Sequence, residues 1–183
     1  QPKEQKALET ITANRICVNP YPILPDHLTI AHKDHIPQLM DENIFIYDDV
    51  PLIRTEISDY ALFYNGAHCG ASAPDHLHLQ GVRKLMFHHP ERTTADNPRT
   101  DNRYTQHVFP YLEEEEDYPL ECSRIYLNTK DYPCPLVILS SNTHYDDSLL
   151  YSALAAFPPD EDGQEAKFNL LLWKEGHLYY TVV

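Results

Sequence analysis

The sequence predicts an α+β fold built on a mainly antiparallel sheet with helices on one side. Three observations carry that expectation. Fifteen prolines and thirteen tyrosines in 183 residues suit a loop-rich, β-containing chain better than a helical bundle. Short apolar or alternating runs, bounded by proline, asparagine or glycine, recur along the chain and read as strands and hairpins. One stretch, Leu149 to Phe157, instead repeats apolar residues at helical spacing. The length suffices for one domain, or two small ones, with a core that needs neither disulfides nor metals.

Taken in order, residues 1–13 read as a short polar helix or arm. Arg15 to Asn19 reads as a strand, broken by Asn19-Pro20-Tyr21-Pro22 and followed by a hairpin partner at Leu28 to Ala31. Between Gln38 and Ser58, Pro51 forbids one continuous helix. A short helix to about Asn43 and a second from Pro51 to Asp59 are expected. Ala61 to Tyr64 is apolar throughout and reads as a buried strand. Val82 to Phe87 continues the sheet, with Arg83 and Lys84 near the mouth of any site. Glu91 to Thr105 is a polar loop carrying Arg92, Arg99 and Arg103. Glu113 to Asp117 is a block of consecutive acids that reads as a solvated loop. Strands follow at Arg124 to Asn128 and Leu136 to Ser140. Asn142 to Asp146 supplies capping candidates for a helix that runs to about Phe157 and presents Leu149, Leu150, Ala153, Leu154 and Phe157 on one face, until Pro158 and Pro159 stop it. Lys167 to Trp173 and His177 to Val183 form a hairpin around Lys174-Glu175-Gly176.

The expected organisation is a first half at 1–90, an acidic and polar linker at 91–120, and a second half at 121–183. Each half runs hairpin, helix, strand, strand. Gln1 stands where a natural start would carry methionine, so an excised or processed piece is expected. The apolar ending at Val183 suggests residues beyond it.

The net charge of −14 argues against nucleic-acid binding but not against a nucleotide. No long apolar run reads as a membrane span. Cys17, Cys69, Cys122 and Cys134 are scattered, without Cys-x-x-Cys. A disulfide scaffold is therefore not expected, and a reduced, cytoplasmic setting fits.

The chemistry concentrates in Tyr64 to Gln80. A loop of small residues, with Gly66, Gly70, Ala71, Ser72 and Ala73, leads into His76-Leu77-His78-Leu79-Gln80. On a strand, His76, His78 and Gln80 share one face, while Leu77 and Leu79 point to the other. Neutral imidazole is a good nucleophile near pH 7 and can form a covalent phospho-intermediate. A carboxamide can donate to a phosphate oxygen but cannot act as a base. Backbone N–H groups of a small-residue loop can cradle anionic oxygens. His68 and Cys69 read as loop residues without a ligand role.

His-x-His-x-Gln after this loop resembles the histidine-triad superfamily, in its transferase branch of uridylyltransferases, dinucleoside polyphosphate phosphorylases and GDP-hexose phosphorylases. It is also similar to an uncharacterised bacterial family of that branch. The resemblance implies two fused histidine-triad-like halves, with the chemistry kept in the first. It implies His78 as nucleophile on the nucleotide α-phosphorus, Gln80 as donor to the phosphoryl oxygens and His76 as an orienting group. Asn65, Gly70 and Ser72 would contact substrate phosphate. Glutamine where the hydrolase branch has a third histidine favours transfer or phosphorolysis. Asp75 stands between Pro74 and His76, a one-residue departure from the uridylyltransferase pattern.

The upstream segment Pro25 to Ile30, followed by His32 to Gln38, carries the same resemblance. It implies that His35 and His76 bind zinc if a cysteine pair lies upstream of Gln1. Zinc is the one cofactor raised. The implied function is a nucleotidyltransferase or phosphorylase acting on a nucleoside diphosphate sugar or dinucleoside polyphosphate. A non-catalytic nucleotide-binding module and a zinc-stabilised structural domain are the alternatives. The expected partner is the nucleotide or nucleotide sugar, with neither nucleic acid nor membrane, and a homodimer is compatible. Attack by neutral imidazole predicts loss of activity below about pH 6.

Overall fold

The computed structural model describes residues 7–9, 13–40, 57–84, 123–128, 136–141, 147–176 and 178–183. Among the described residues nine strands form one sheet: β1 (Ala7–Glu9), β2 (Asn14–Val18), β3 (Leu28–His32), β4 (Tyr60–Asn65), β5 (His78–Arg83), β6 (Ser123–Asn128), β7 (Leu136–Ser141), β8 (Asn169–Glu175) and β9 (Leu178–Val182). Their spatial order is β1-β2-β3-β5-β4-β8-β9-β7-β6. Every neighbouring pair is antiparallel. One helix, α1 (Asp147–Leu154), is present among the described residues. The fold is thus α+β with a large antiparallel sheet and few helices. No described helix is long and apolar enough to cross a membrane.

The strand order reads the same from both ends. From one edge, after β1, it runs β2-β3-β5-β4; from the other it runs β6-β7-β9-β8. In each set a hairpin is followed by two strands, the later of which inserts beside the hairpin. The sets meet where β4 pairs with β8, from Leu62↔Leu172 to Asn65↔Asn169. Both halves therefore contribute to one sheet instead of standing as separate lobes.

The two central strands are apolar on both faces, as a strand covered on both sides must be. On one face Leu62, Tyr64, Leu170 and Leu172 join Ile30, Leu77, Leu79 and Leu150 of α1 in a buried cluster. On the other, Ala61 and Trp173 join Val82, Ile138, Leu178, Tyr180 and Val182. Trp173 and Tyr180 stack there, ring centroids 5.2 Å apart. The helix ends as Phe157 N–H bonds the Leu154 carbonyl in a tightened last turn, and Pro158 and Pro159 prevent continuation.

Four expectations need correction or narrowing. The N-terminal arm holds a strand, since Ala7 to Glu9 pairs with Cys17 to Arg15. Ile57 to Asp59 form a turn, not a helix end; the rest of the helix expected from Pro51, and that expected to about Asn43, lie largely outside the described residues. The strand after Gln80 ends at Arg83. Arg83 pairs with Asp26 at 3.0 Å, and Lys84 Nζ donates to the Lys174 carbonyl. Both cations are thus engaged away from the cleft described below. Phe157 is exposed instead of packed. The loop at 91–105, the acid block at 113–117, Cys122 and Cys134 lie outside the described residues.

Candidate functional site

β3 and β5 hold the site between them. Their register places Thr29 opposite Gln80 and Ala31 opposite His78, so all four side chains share a face. β4 adds Phe63 to that face, opposite Gln80. His76 lies in a bend before β5 and not in the strand itself. The Pro74-Asp75 turn accounts for this, because the His76 N–H bonds back to the Ala73 carbonyl at 3.2 Å and is not free for a ladder. The polar alternation survives even so. His76, His78 and Gln80 line one cleft of about 330 Å3, together with Ser72 and Ala73 of the small-residue loop. Asn19, Pro20 and Tyr21 form its rim. Leu77 and Leu79 are buried on the opposite face. Asn65 and Gly70 do not line this cleft.

Hydrogen bonds to backbone atoms fix the protons on two imidazoles. His78 Nδ1 lies 2.9 Å from the His76 carbonyl. A carbonyl only accepts, so Nδ1 carries the proton and Nε2 of the neutral ring carries a lone pair. His76 Nε2 lies 2.8 Å from the His32 carbonyl and must likewise donate, so the His76 lone pair sits on Nδ1. That atom is 3.3 Å from His35 Nδ1. Two nitrogens on one tetrahedral zinc, each about 2.0–2.1 Å from the ion, would stand about 3.3–3.4 Å apart. The pair therefore has the spacing and, at His76, the tautomer of two zinc ligands. The opposite nitrogen of His35 faces Asp75 at 3.4 Å, in the open.

Gln38, fully buried, supports the cleft from behind, and no local pattern in the sequence singles it out. Its carboxamide accepts from His78 N–H at 2.8 Å and donates to the His78 and Asn65 carbonyls at 3.0 and 2.9 Å. The β4–β5 ladder stops at Phe63↔Gln80. Beyond it, the Gln38 side chain stands between the strands as a peptide group would. It fixes the backbone of His78 and the start of the small-residue loop together. Glu165 supports the same region. It accepts from Met40 N–H at 2.6 Å and the Tyr64 hydroxyl at 2.8 Å. Burial pushes its carboxyl above the ordinary value, against the opposing pull of those two donors. Burial and the neighbouring Glu165 push the Tyr64 phenol up as well.

The loop itself needs its glycines. A Cβ at Gly66 would lie 2.8 Å from the Phe168 carbonyl, and Gly70 adopts a φ of +98°. His68 leaves the loop away from the cleft. It contacts Asp160 at 2.5 Å and Asp162 at 3.7 Å through different ring nitrogens. Lys167 also reaches Asp160, at 3.0 Å. The Glu161 N–H, His68 and Lys167 together hold the Asp160 carboxyl down to about 2. The ligand atoms of His68, Asp160 and Asp162 lie within 4.8 Å of one another, so this mostly exposed cluster could coordinate a metal ion. Nothing local in the sequence marks His68 as a ligand, since the two aspartates are distant in the chain.

A larger cavity, about 630 Å3, opens on the helix-bearing face between Leu39, Met40, Leu154 and Phe168, with Glu165 as its carboxylate. No described histidine lines it. Size alone does not mark the site, and the smaller His78 cleft holds the convergent polar groups.

A family described as a domain of unknown function, DUF4922, matches residues 1–83. That portion ends with β5 and contains every residue lining the His78 cleft. No curated protein sequence matches the chain. Among solved structures, a DUF4931 family protein from Bacillus cereus ATCC 10987 is similar over 97% of this chain and 83% of its own, at 14% identity and a TM-score of 0.54. That likeness is one of fold alone. Yeast Ap4A phosphorylase Apa2 aligns with 93% of this chain and 55% of its own, at 17% identity and a TM-score of 0.41. This chain thus spans about half the length of the yeast enzyme.

Proposed function

We propose that the His78 cleft is a nucleotidyl-transfer or phosphorolysis site of the histidine-triad kind. The observation that carries this reading is the His78 tautomer: Nδ1–H is held by the His76 carbonyl, and the Nε2 lone pair is left for attack. In the first step Nε2 forms a bond to the α-phosphorus of a nucleoside diphosphate sugar or dinucleoside polyphosphate. The bond from that phosphorus to the bridging oxygen breaks, and a sugar phosphate or nucleotide leaves. In the second step an oxygen of phosphate or sugar phosphate attacks the same phosphorus, and His78 departs as neutral imidazole.

Gln80 donates its amide N–H to the phosphoryl oxygens, where charge builds in each transition state. Ser72 and the adjoining loop backbone face the same space. Asn65 and Gly70 act through the shape of the loop, since neither lines the cleft. His76 orients the site through its bond to the His32 carbonyl. Gln38 keeps the nucleophile in place by holding the His78 backbone from both its N–H and its carbonyl. The palindromic strand order supports two fused histidine-triad-like halves, with boundaries near 1–90 and 121–183.

The 3.3 Å spacing of His35 and His76 favours a second, compatible role. These two residues would supply half of a tetrahedral zinc site, with further ligands from elsewhere in the protein. Zinc there would stabilise the turn before β5 as a structural ion. Metal analysis of the protein, with His35→Ala as control, tests this role separately.

Transfer is tested by exposing the protein to nucleoside diphosphate sugars labelled at the α-phosphate. The expected result is acid-labile, base-stable label on the wild type and none on His78→Ala. Label retained by His78→Ala would remove the assignment.

A further inference from the structure

We infer that His27 is a positioning residue which turns the Gln80 carboxamide so that its NH2 group, and not its oxygen, faces the cleft. The catalytic consequence rests on the transfer reading above; the orientation does not.

His27 is buried, only 2% exposed, just ahead of β3. Its ring lies against Phe63, centroids 5.8 Å apart. Nδ1 lies 3.3 Å from the backbone nitrogen of Ile23. A backbone N–H only donates, so Nδ1 must accept, and the neutral ring carries its proton on Nε2. Nε2 is 2.8 Å from Gln80 Oε1. The N–H therefore donates to the carboxamide oxygen, which leaves the amide nitrogen as the group Gln80 presents elsewhere. Asn19 Nδ2 approaches the same ring nitrogen at 3.4 Å. That approach is donor to donor and does not compete.

Local backbone features hold His27 in place. Asp26 adopts a φ of +53°, a conformation that aspartate tolerates better than most residues. Its carboxylate pairs with Arg83 at the end of β5. The loop between Asn19 and His27 is closed by Asn19 N–H donating to the His27 carbonyl at 2.9 Å. The imidazole is thus anchored from its own loop, from β4 and from β5.

The orientation has a chemical consequence. The terminal torsion of glutamine is broad and nearly two-fold, so an unheld carboxamide would present oxygen as readily as nitrogen. Oxygen would repel a phosphoryl group, whereas NH2 donates to it. His27 thereby makes this end of the cleft selective for an acceptor-only, anionic group.

Two variants separate geometry from folding. His27→Phe keeps an aromatic ring against Phe63 and deletes the donor. His27→Gln restores an amide donor near the Nε2 position. Full loss of one oxyanion donor costs about 10²–10³-fold in turnover; a carboxamide that presents its NH2 group half the time should cost about twofold or more. We expect His27→Phe to lower kcat by about that factor with little change in KM, and His27→Gln to recover part of it. In a Gln80→Ala background, His27→Phe should cost nothing further. A loss by His27→Phe that is as large in Gln80→Ala as in the wild type would overturn the proposal.

The tautomer is read without substrate, from long-range nitrogen–proton correlations of the His27 ring in the wild-type protein. Nε2–H is expected, with a changed ring environment in Gln80→Ala. An Nδ1–H ring, or one indifferent to Gln80→Ala, contradicts the orientation even if His27→Phe fails to fold. If the wild type takes no label, the transfer reading fails, and this spectrum still decides what His27 does.

Discussion

The two halves of the sheet share a strand plan and fill the same face in opposite ways. In β8 and β9 that face is closed by Trp173 stacked on Tyr180, with Leu178 and Val182 buried around them. In β3 and β5 it is open, and His78, Gln80, Thr29 and Ala31 line a cleft. One half spends its alternating positions on packing, the other on polar groups held by backbone partners. The packed half also braces the open one. Gly66 N–H bonds the Phe168 carbonyl, and Glu165 reaches across to Tyr64 and Met40. The cleft is thus tied by hydrogen bonds to the packed half beside it.

Substitutions should break this contrast in opposite directions. His78→Ala should abolish transfer, with the thermal midpoint kept close to wild type. Trp173→Ala should do the reverse, with a loss of about 3–5 kcal/mol in denaturant unfolding. A His78→Ala protein as destabilised as Trp173→Ala would mean that the imidazole serves packing. Next in size, Gln80→Ala should slow transfer by roughly a hundredfold, read as kcat at saturating substrate.

Gln38→Leu should be the exception that moves both readouts. It strands the His78 N–H and two carbonyls in a buried place, at about 1–3 kcal/mol for each unsatisfied group. Stability and turnover should fall together. Loss of one without the other would separate the Gln38 carboxamide from the role proposed for His78.

The smallest expected effect concerns Glu165. Its carboxyl is raised in the fold above the ordinary 4.5, so the folded chain holds that proton more tightly than the unfolded chain. Its contribution to stability is fully present below about pH 4.5 and is lost as pH rises through the folded value. Glu165→Gln should flatten that part of the stability profile in parallel thermal melts at stepped pH. An unchanged slope would show that the carboxyl does not titrate in this window.

Much of the fold was legible because its strands are locally patterned. Ala61 to Tyr64 is apolar on both faces and is central in the sheet; His78 to Gln80 alternates and has one polar face. β1 was not legible, since Ala7-Leu8-Glu9 is too short to show a period and its pairing is set by β2. His76 fell outside the strand because Pro74-Asp75 turns the chain just before it. Of the expected site residues, Ser72, His76, His78 and Gln80 come together at the cleft, and His35 meets His76 beside it. The supporting residues were hidden for a different reason. Gln38 acts on His78, His27 on Gln80 and Glu165 on Tyr64, all across long stretches of chain. A single glutamine, histidine or glutamate leaves no local period. The only hint was position: Gln38 follows His35-Ile36-Pro37, and His27 sits against the apolar start of β3.

The most direct measurement is intact-mass analysis and peptide mapping of the wild-type protein after exposure to a panel of nucleoside diphosphate sugars and dinucleoside polyphosphates. One nucleoside monophosphate adduct is expected, carried by His78. An adduct on His76 or any other residue, or none with the whole panel, would contradict the assignment of the His78 Nε2 lone pair as the attacking group.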